Sequence, residues 1–422
     1  MPSNTPAPGQ ITTRCCIAGG GPAGMMLGFL LARAGVDVVV LEKHADFLRD
    51  FRGDTVHPST LEVLYELGLL DDFLKRPHQE LTQFAVRVGQ EEVIVGDLSH
   101  LPTHCKFVAF MPQWDFLNFI ADSAKRYPAF HLAMECEAID LIKDGDTVKG
   151  VRASTRSGAL EVHADLVIAA DGRSSILREK AGLEVIQLGA PIDVLWMRFS
   201  RKPDDPGLSL GRVDAGKFLV MLNREEYWQC AFVIRKGGLD AIRESGLPAF
   251  RENIIQIAPF LADRVDELQD WNDIKLLSVA VDRLREWYRE GLLCVGDAAH
   301  AMSPIGGVGI NLAIQDAVAT ANILGPALQK GRVKTNLLRQ VQARRMFPTR
   351  ATQRLQVLAQ DRILTPVLNK KQAITDLPLP LKLLRRFPWL RRILARVIGM
   401  GFRPEHVKIA EAQKNETEPV QA

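Results

Sequence analysis

Three apolar runs frame this chain: Cys15-Cys16-Ile17, Val36 to Leu41, and Leu166-Val167-Ile168-Ala169-Ala170. Their continuous rather than alternating apolar character predicts strands buried on both faces of a helix-covered sheet. A fourth run, Leu292-Leu293-Cys294-Val295, re-enters that sheet late in the chain. Between the first two, Gly24 to Ala34 has the small, apolar composition of a helix packed on strands. Elsewhere the pattern alternates. Phe84–Val88 and Glu92–Val95 read as an antiparallel pair; His131–Ile142, Thr147–Ser154 and Leu160–His163 as short strands; Val194–Phe199, Lys217–Leu222, Trp228–Ile234 and Lys275–Val281 as a second sheet punctuated by Pro, Gly and Asp. Helical periods are expected from Pro58 to about Arg76, Trp114 to Tyr127, Gly238 to about Ile257 and Asn311 to Ile323.

This order predicts an α/β fold: a Rossmann-type dinucleotide-binding domain, an inserted, mostly antiparallel β-sheet substrate domain, and C-terminal helices. The nucleotide domain is assigned 11–80, 111–190 (with a β excursion) and 286–330; the substrate domain 81–110 and 191–285; the helical region 331–404; and a disordered polar tail 405–422. The stretch Leu381 to Phe402 carries Lys382, Arg385, Arg386, Arg391, Arg392 and Arg396 without an acidic residue. It suits an anionic membrane surface or packing over the substrate domain; Pro388 interrupts it, and packing is favoured because Glu405 to Ala422 reads as an ordinary polar tail.

Composition narrows the classes. With 422 residues and a net charge of +3, the chain is long enough for two packed domains and is not a nucleic-acid binder by charge. Its six cysteines lack close C-x-x-C spacing and sit mostly in apolar runs, which points to buried thiols in the cytoplasm. Met1 to Gln10 has no basic start or apolar core and is expected to be a loose lead. His100 and His104 are four apart, but Pro102 between them argues against a metal-binding helix, and no stable metal is expected.

The chemistry concentrates at predicted strand ends. Gly19, Gly21 and Gly24, with Pro22 and Ala23 between them, carry the G-x-G-x-x-G spacing that combines a tight turn, close pyrophosphate approach and helix–strand contact. Glu42, followed by Lys43, ends the second strand where a carboxylate can take ribose hydroxyls. Asp171-Gly172 ends the third. Gly296-Asp297-Ala298-Ala299-His300 ends the fourth, and Asp297 can face ribitol hydroxyls. Pro304, Gly307, Gly309, Ile310 and Asn311 then form a small-residue loop whose N–H groups can stabilise negative charge on a reduced flavin. No second complete G-x-G-x-x-G follows residue 150, so a nicotinamide would dock transiently between the domains.

These motifs, in this order, resemble the single-component flavin-dependent aromatic hydroxylases similar to para-hydroxybenzoate hydroxylase. The resemblance spans most of the first 330 residues. It implies FAD, reduced by NADPH or NADH, with O2 as co-substrate and oxygen transfer from a flavin C4a-hydroperoxide to an aromatic or heteroaromatic ring. It also implies flavin contacts for Arg52, Gln113 and Asp171, while Pro304, Gly307 and His57 are the catalytic candidates. Met197, Phe199, Tyr227 and Gln229, on alternating strands, and Met302 are the pocket candidates. The Trp-x-Trp-x-Ile-Pro segment of flavin halogenases is absent. A dehydrogenase or reductase of a hydrophobic substrate stands as the alternative, and a homodimer is left open.

Overall fold

The computed structural model describes residues 9–48, 55–206, 209–370, 372, 374 and 376–412. The continuous apolar runs form a parallel sheet. Gln10–Ala18 lies between Val38–Glu42 and Gly158–Ala169, with Phe130–Met134 outside the former and Leu292–Cys294 outside the latter. Cys15, Cys16, Ile17 and Val167 are fully buried. Helices Pro22–Arg33, Gln113–Ala124 and Gly309–Gln329 pack together beside these strands, so the runs needed no polar positions. Gly158–Ala169 unites two expected strands. It pairs in parallel with Gln10–Ala18 and, over its first half, antiparallel with Thr147–Thr155.

The inserted sheet has seven strands in the order Lys275–Leu277, Ile192–Ser200, Tyr227–Arg235, Lys217–Asn223, Ser209–Asp214, Gln83–Val88, Glu91–Asp97. Ser209–Asp214 escaped the sequence reading because Gly211 breaks its pattern and Pro206-Gly207 precedes it. That strand joins the early excursion to the main insertion by parallel pairing with Gln83–Val88. One face of the sheet packs Leu195, Phe232 and Cys230 under helix Leu247–Ile257. Its other face, carrying Val194, Trp196, Val220 and Ala231, packs toward Ile305 and Leu364.

Several expected elements are broken where a residue takes a left-handed conformation. The helix expected from Pro58 to Arg76 becomes Pro58–Glu66 and Leu70–Leu74, with Gly68 at φ +68° between them. The strand expected over His131–Ile142 divides into Phe130–Met134 and Cys136–Asp144 at Glu135, φ +55°. The helix from Gly238 to Ile257 is likewise two, with Gly246 at φ +85° in between.

The C-terminal helices Leu379–Arg386 and Pro388–Met400 pack on strand Glu91–Asp97, and the second also reaches helix Pro58–Glu66. Among the described residues no helix is long and apolar enough to cross a membrane. Residues 405–412 correct the expectation of a disordered tail. Glu405 is buried against Arg344 and Arg345, Asn322 Oδ1 accepts the Lys408 N–H at 2.8 Å, and the Ala412 N–H reaches the Arg33 carbonyl at 3.0 Å. The rest of that tail, 413–422, and residues 1–8 of the lead lie outside the described residues.

Candidate active site

Parallel pairing brings four strand ends together. Ala18 lies opposite both Leu41 and Ala169, and Ala169 lies opposite Cys294. The segments that follow these strands, with Glu42, Gly19, Asp171 and Asp297, therefore share one sheet edge spanning roughly 14 Å at the usual strand spacing. The three motif glycines have different duties there. A Cβ on Gly24 would stand 1.9 Å from the Gly19 carbonyl oxygen, and one on Gly19, at φ +107°, would stand 2.3 Å from the Ala170 carbonyl oxygen. A Cβ on Gly21 would meet nothing within 4 Å. Two glycines thus allow backbone to touch backbone, and the third faces open space at the uncapped start of helix Pro22–Arg33.

Glu42 closes this turn from the second strand. One carboxylate oxygen accepts the Gly20 N–H at 3.0 Å, and the other accepts the His44 N–H at 3.0 Å. Asp171 is held by the Leu177 N–H at 3.3 Å, yet its Oδ1 is buried with no hydrogen-bond partner. Burial pushes its carboxyl above the usual range, against the hydrogen bonds from Ser175, Leu177 and Ile176. Arg178 ties the two later strand ends together. It donates to the Ala298 carbonyl at 3.2 Å and to the Arg173 carbonyl, while Arg173 lies 3.7 Å from Asp297.

The loop after Ala301 is pinned from several sides. Gly306 and Gly307 have φ of +79° and +63°. Thr55 Oγ1 donates to the Gly307 carbonyl at 2.9 Å. Asn311 Oδ1 accepts the His57 N–H at 2.9 Å and the Thr60 hydroxyl at 2.7 Å. Its amide also donates to the Thr55 and Gly307 carbonyls, at 3.3 and 3.4 Å. Helix Gly309–Gln329 therefore starts in a fixed place, with its first N–H groups left without intrahelical acceptors.

Residues 12–355 match the FAD-binding-domain family. The 6-methylpretetramide 4-monooxygenase of Streptomyces rimosus is 32% identical over 387 residues, covering 91% of this chain and 92% of that one. The chain belongs to the single-component flavin-dependent aromatic monooxygenases. A para-nitrophenol 4-monooxygenase from a Pseudomonas strain is 26% identical over 330 residues, 75% of this chain and 78% of that one. The fold also matches the anhydrotetracycline hydroxylase of Streptomyces rimosus, with a TM-score of 0.72 at 22% identity, over 92% of this chain and 76% of that one. The dehydrogenase alternative finds no support among these relatives.

The strand-end cradle of this monooxygenase fits FAD: Gly21 opens onto free space, and the buried Asp171 Oδ1 lacks a donor. Gly19, Gly21, Pro22, Ala23, Gly24, Glu42, Asp171, Gly296 and Asp297 are brought together around it. Gly309, Ile310 and Asn311 start the helix beyond Pro304 and Gly307, and Gln113 starts helix Gln113–Ala124. Lys43 is half exposed, its Nζ 3.7 Å from Glu137. Arg52 lies outside the described residues. Asp297→Ala is expected to weaken FAD binding about tenfold, with little change in the unfolding temperature because this carboxylate is about a third exposed. Calorimetric titration of the apoprotein checks this, and equal affinity would remove Asp297 from the site.

Other candidates change place. Met197 and Phe199 are fully buried on the face that packs under helix Leu247–Ile257. Their pocket assignment is corrected, because the opposite face, which packs toward Ile305, carries their neighbour Trp196. Gln229 and Tyr227 alternate with the residues of that back face. Gln229 is buried and accepts from Arg224 Nε at 3.1 Å, whereas Tyr227 is half-buried at the strand start. Met302 is buried. His57 is buried just ahead of helix Pro58–Glu66. Its Nδ1 contacts the Ile398 carbonyl at 2.8 Å, and burial lowers its pKa to about 4, so it is neutral at ordinary pH. Arg178, Thr55 and Thr60 were missed; their only sequence signal was position beside a motif. His104, weighed as a metal ligand, instead lies 3.0 Å from Glu62 and stacks on Tyr65.

Proposed function

We propose that this monooxygenase uses NADH or NADPH and O2 to hydroxylate an aromatic or heteroaromatic ring held between the inserted sheet and the Ile305–Val308 loop. The observation that carries the reading is the packing of Ile305 and of the sheet face bearing Trp196, Val220 and Ala231 into one apolar cluster, which sets an apolar wall beside the flavin loop. The overall change is balanced. Substrate C–H, O2, NAD(P)H and one proton give substrate C–OH, water and NAD(P)+. FAD, when bound, supplies the electron transfer and oxygen activation. The chain holds it at the strand ends and excludes water with the sheet. The open first turn of helix Gly309–Gln329 offers N–H donors and the positive helix end to negative charge at the ring edge. Six buried free cysteines support a cytoplasmic setting.

The relatives' names set the ends of a substrate series, from para-nitrophenol to 6-methylpretetramide. Enzyme reduced anaerobically by either nicotinamide and then given heavy-isotope O2 is expected to place one heavy atom in the product and the other in water. Oxidation of the nicotinamide with no heavy atom in any product of the series overturns the reading.

A further inference from the structure

A cavity of about 570 Å³ lies among helices Gly309–Gln329, Thr335–Ala359 and Pro388–Met400. Among the described residues no strand of either large sheet lines it, nor does the Gly19 loop, Asp171 or Asp297. It meets the flavin loop at Ile305, Gly306, Val308 and Asn311, and the sheet residues Trp196, Val220 and Ala231 are not in its lining, which sets it apart from the sheet-facing wall. Its sides are apolar, with Leu312, Leu394, Val397 and Ile398 among them. Leu355, Leu358 and Ile363 line it and are 40%, 55% and 52% exposed, which marks an apolar mouth.

The polar lining includes two buried donors with nothing to bond. Arg345 is 0% exposed; its Nε donates to Asp316 at 2.8 Å and its Nη1 to Glu405 at 3.3 Å, but its Nη2 has no partner. Gln315 is 4% exposed; its Oε1 accepts the Glu405 N–H, and its Nε2 has no partner. Both side chains bond to Glu405 and both line the cavity, so the two residues with unused N–H groups stand side by side in its wall. Such groups are costly to bury without acceptors. Arg345 already sits between two carboxylates, so its charge is balanced and a neutral oxygen suits it better than another anion.

We propose that this cavity is a second ligand site, taking a flat, uncharged, apolar molecule of about three fused rings whose carbonyl or phenolic oxygen is bound by Arg345 and Gln315. The proposal is independent of turnover. It is tested on oxidised, FAD-loaded enzyme without nicotinamide, titrated calorimetrically with 9-fluorenone, with fluorene, which lacks the carbonyl, and with 9-fluorenone-4-carboxylate. The neutral ketone is expected to bind more tightly than either analogue. Gln315→Leu should weaken the ketone about tenfold while leaving fluorene unchanged. Ala359→Trp, which fills the cavity, should abolish ketone binding at unchanged FAD content, and Trp196→Ala on the sheet face should leave it intact. Equal binding of ketone and fluorene, ketone binding that survives Ala359→Trp, loss on Trp196→Ala instead, or no binding up to the solubility limit overturns the proposal. None of these outcomes alters the heavy-isotope result, so the two readings fail separately.

Discussion

Gly24→Ala is expected to give a protein that melts well below wild type and emerges from purification without FAD. The new methyl would lie 1.9 Å from the Gly19 carbonyl oxygen and 3.2 Å from Ile17 Cγ2. Carbon and oxygen need well over 3 Å, so the start of helix Pro22–Arg33 must move by about 1.5 Å away from the strand. Overpacking usually costs about 1–3 kcal/mol, and a backbone obstacle that cannot rotate aside puts this site at the upper end. Gly21→Ala is the discriminating partner. Its methyl would meet no protein atom within 4 Å, so the fold should keep its melting temperature. FAD affinity should nevertheless fall by at least about tenfold, some 1.4 kcal/mol, because the methyl occupies the phosphate approach. Calorimetric melting and the flavin-to-protein absorbance ratio separate the two. Full FAD retention in Gly21→Ala would mean that the pyrophosphate does not cross this glycine.

That contrast shows what can be read from a chain and what cannot. The glycine spacing, the acidic strand ends and the order of apolar runs are local features, and each became an element or a strand end in register. Face choice in the inserted sheet was not local. Met197 and Trp196 are neighbours on one strand, and period-two alternation treats the two faces alike. Phe250, Ile254 and Ile257, which pack on the back face from helix Leu247–Ile257, decide which side is covered. The clasp of Arg178 on the Ala298 carbonyl joins residues 120 positions apart, and the hydrogen bond from Thr60 to Asn311 joins residues 251 apart. Nothing in composition announces such pairs. Asp316 is the sharpest case. Its work depends on Arg345 and, through that arginine, on Glu405, a residue expected in the loose tail.

Asp316→Ala is expected to cost about 3–5 kcal/mol, the usual penalty for stranding a buried charge. Asp316 is fully buried and receives His300 Nε2 at 2.6 Å, Arg345 Nε at 2.8 Å and the Gly296 N–H at 3.2 Å. Alanine leaves Arg345 with Glu405 as its remaining carboxylate partner, and it frees the Gly296 turn beside Asp297. At about 2 °C per kcal/mol for a large domain, the unfolding temperature should fall by roughly 6–10 °C, with Asp316→Asn in between because it keeps the shape and one acceptor. The pH dependence separates this carboxylate from His57. Burial alone would raise the Asp316 carboxyl, but His300 and Arg345 outweigh it and hold the folded value below the ordinary one. Its contribution is therefore present above an unfolded value of about 3.9 and is lost only as pH falls through the lower folded value. His57 is lowered by burial from 6.5 to about 4, so the unfolded state takes its proton first and stability drains away between those values. The gap between wild type and Asp316→Ala should consequently persist from pH 8 to pH 5 while both proteins lose stability below pH 6.5. A gap that closes already at pH 5–6 would show that the carboxylate is not held ionised by its partners, and a cost under about 1 kcal/mol would put the pair with exposed ion pairs, against its complete burial.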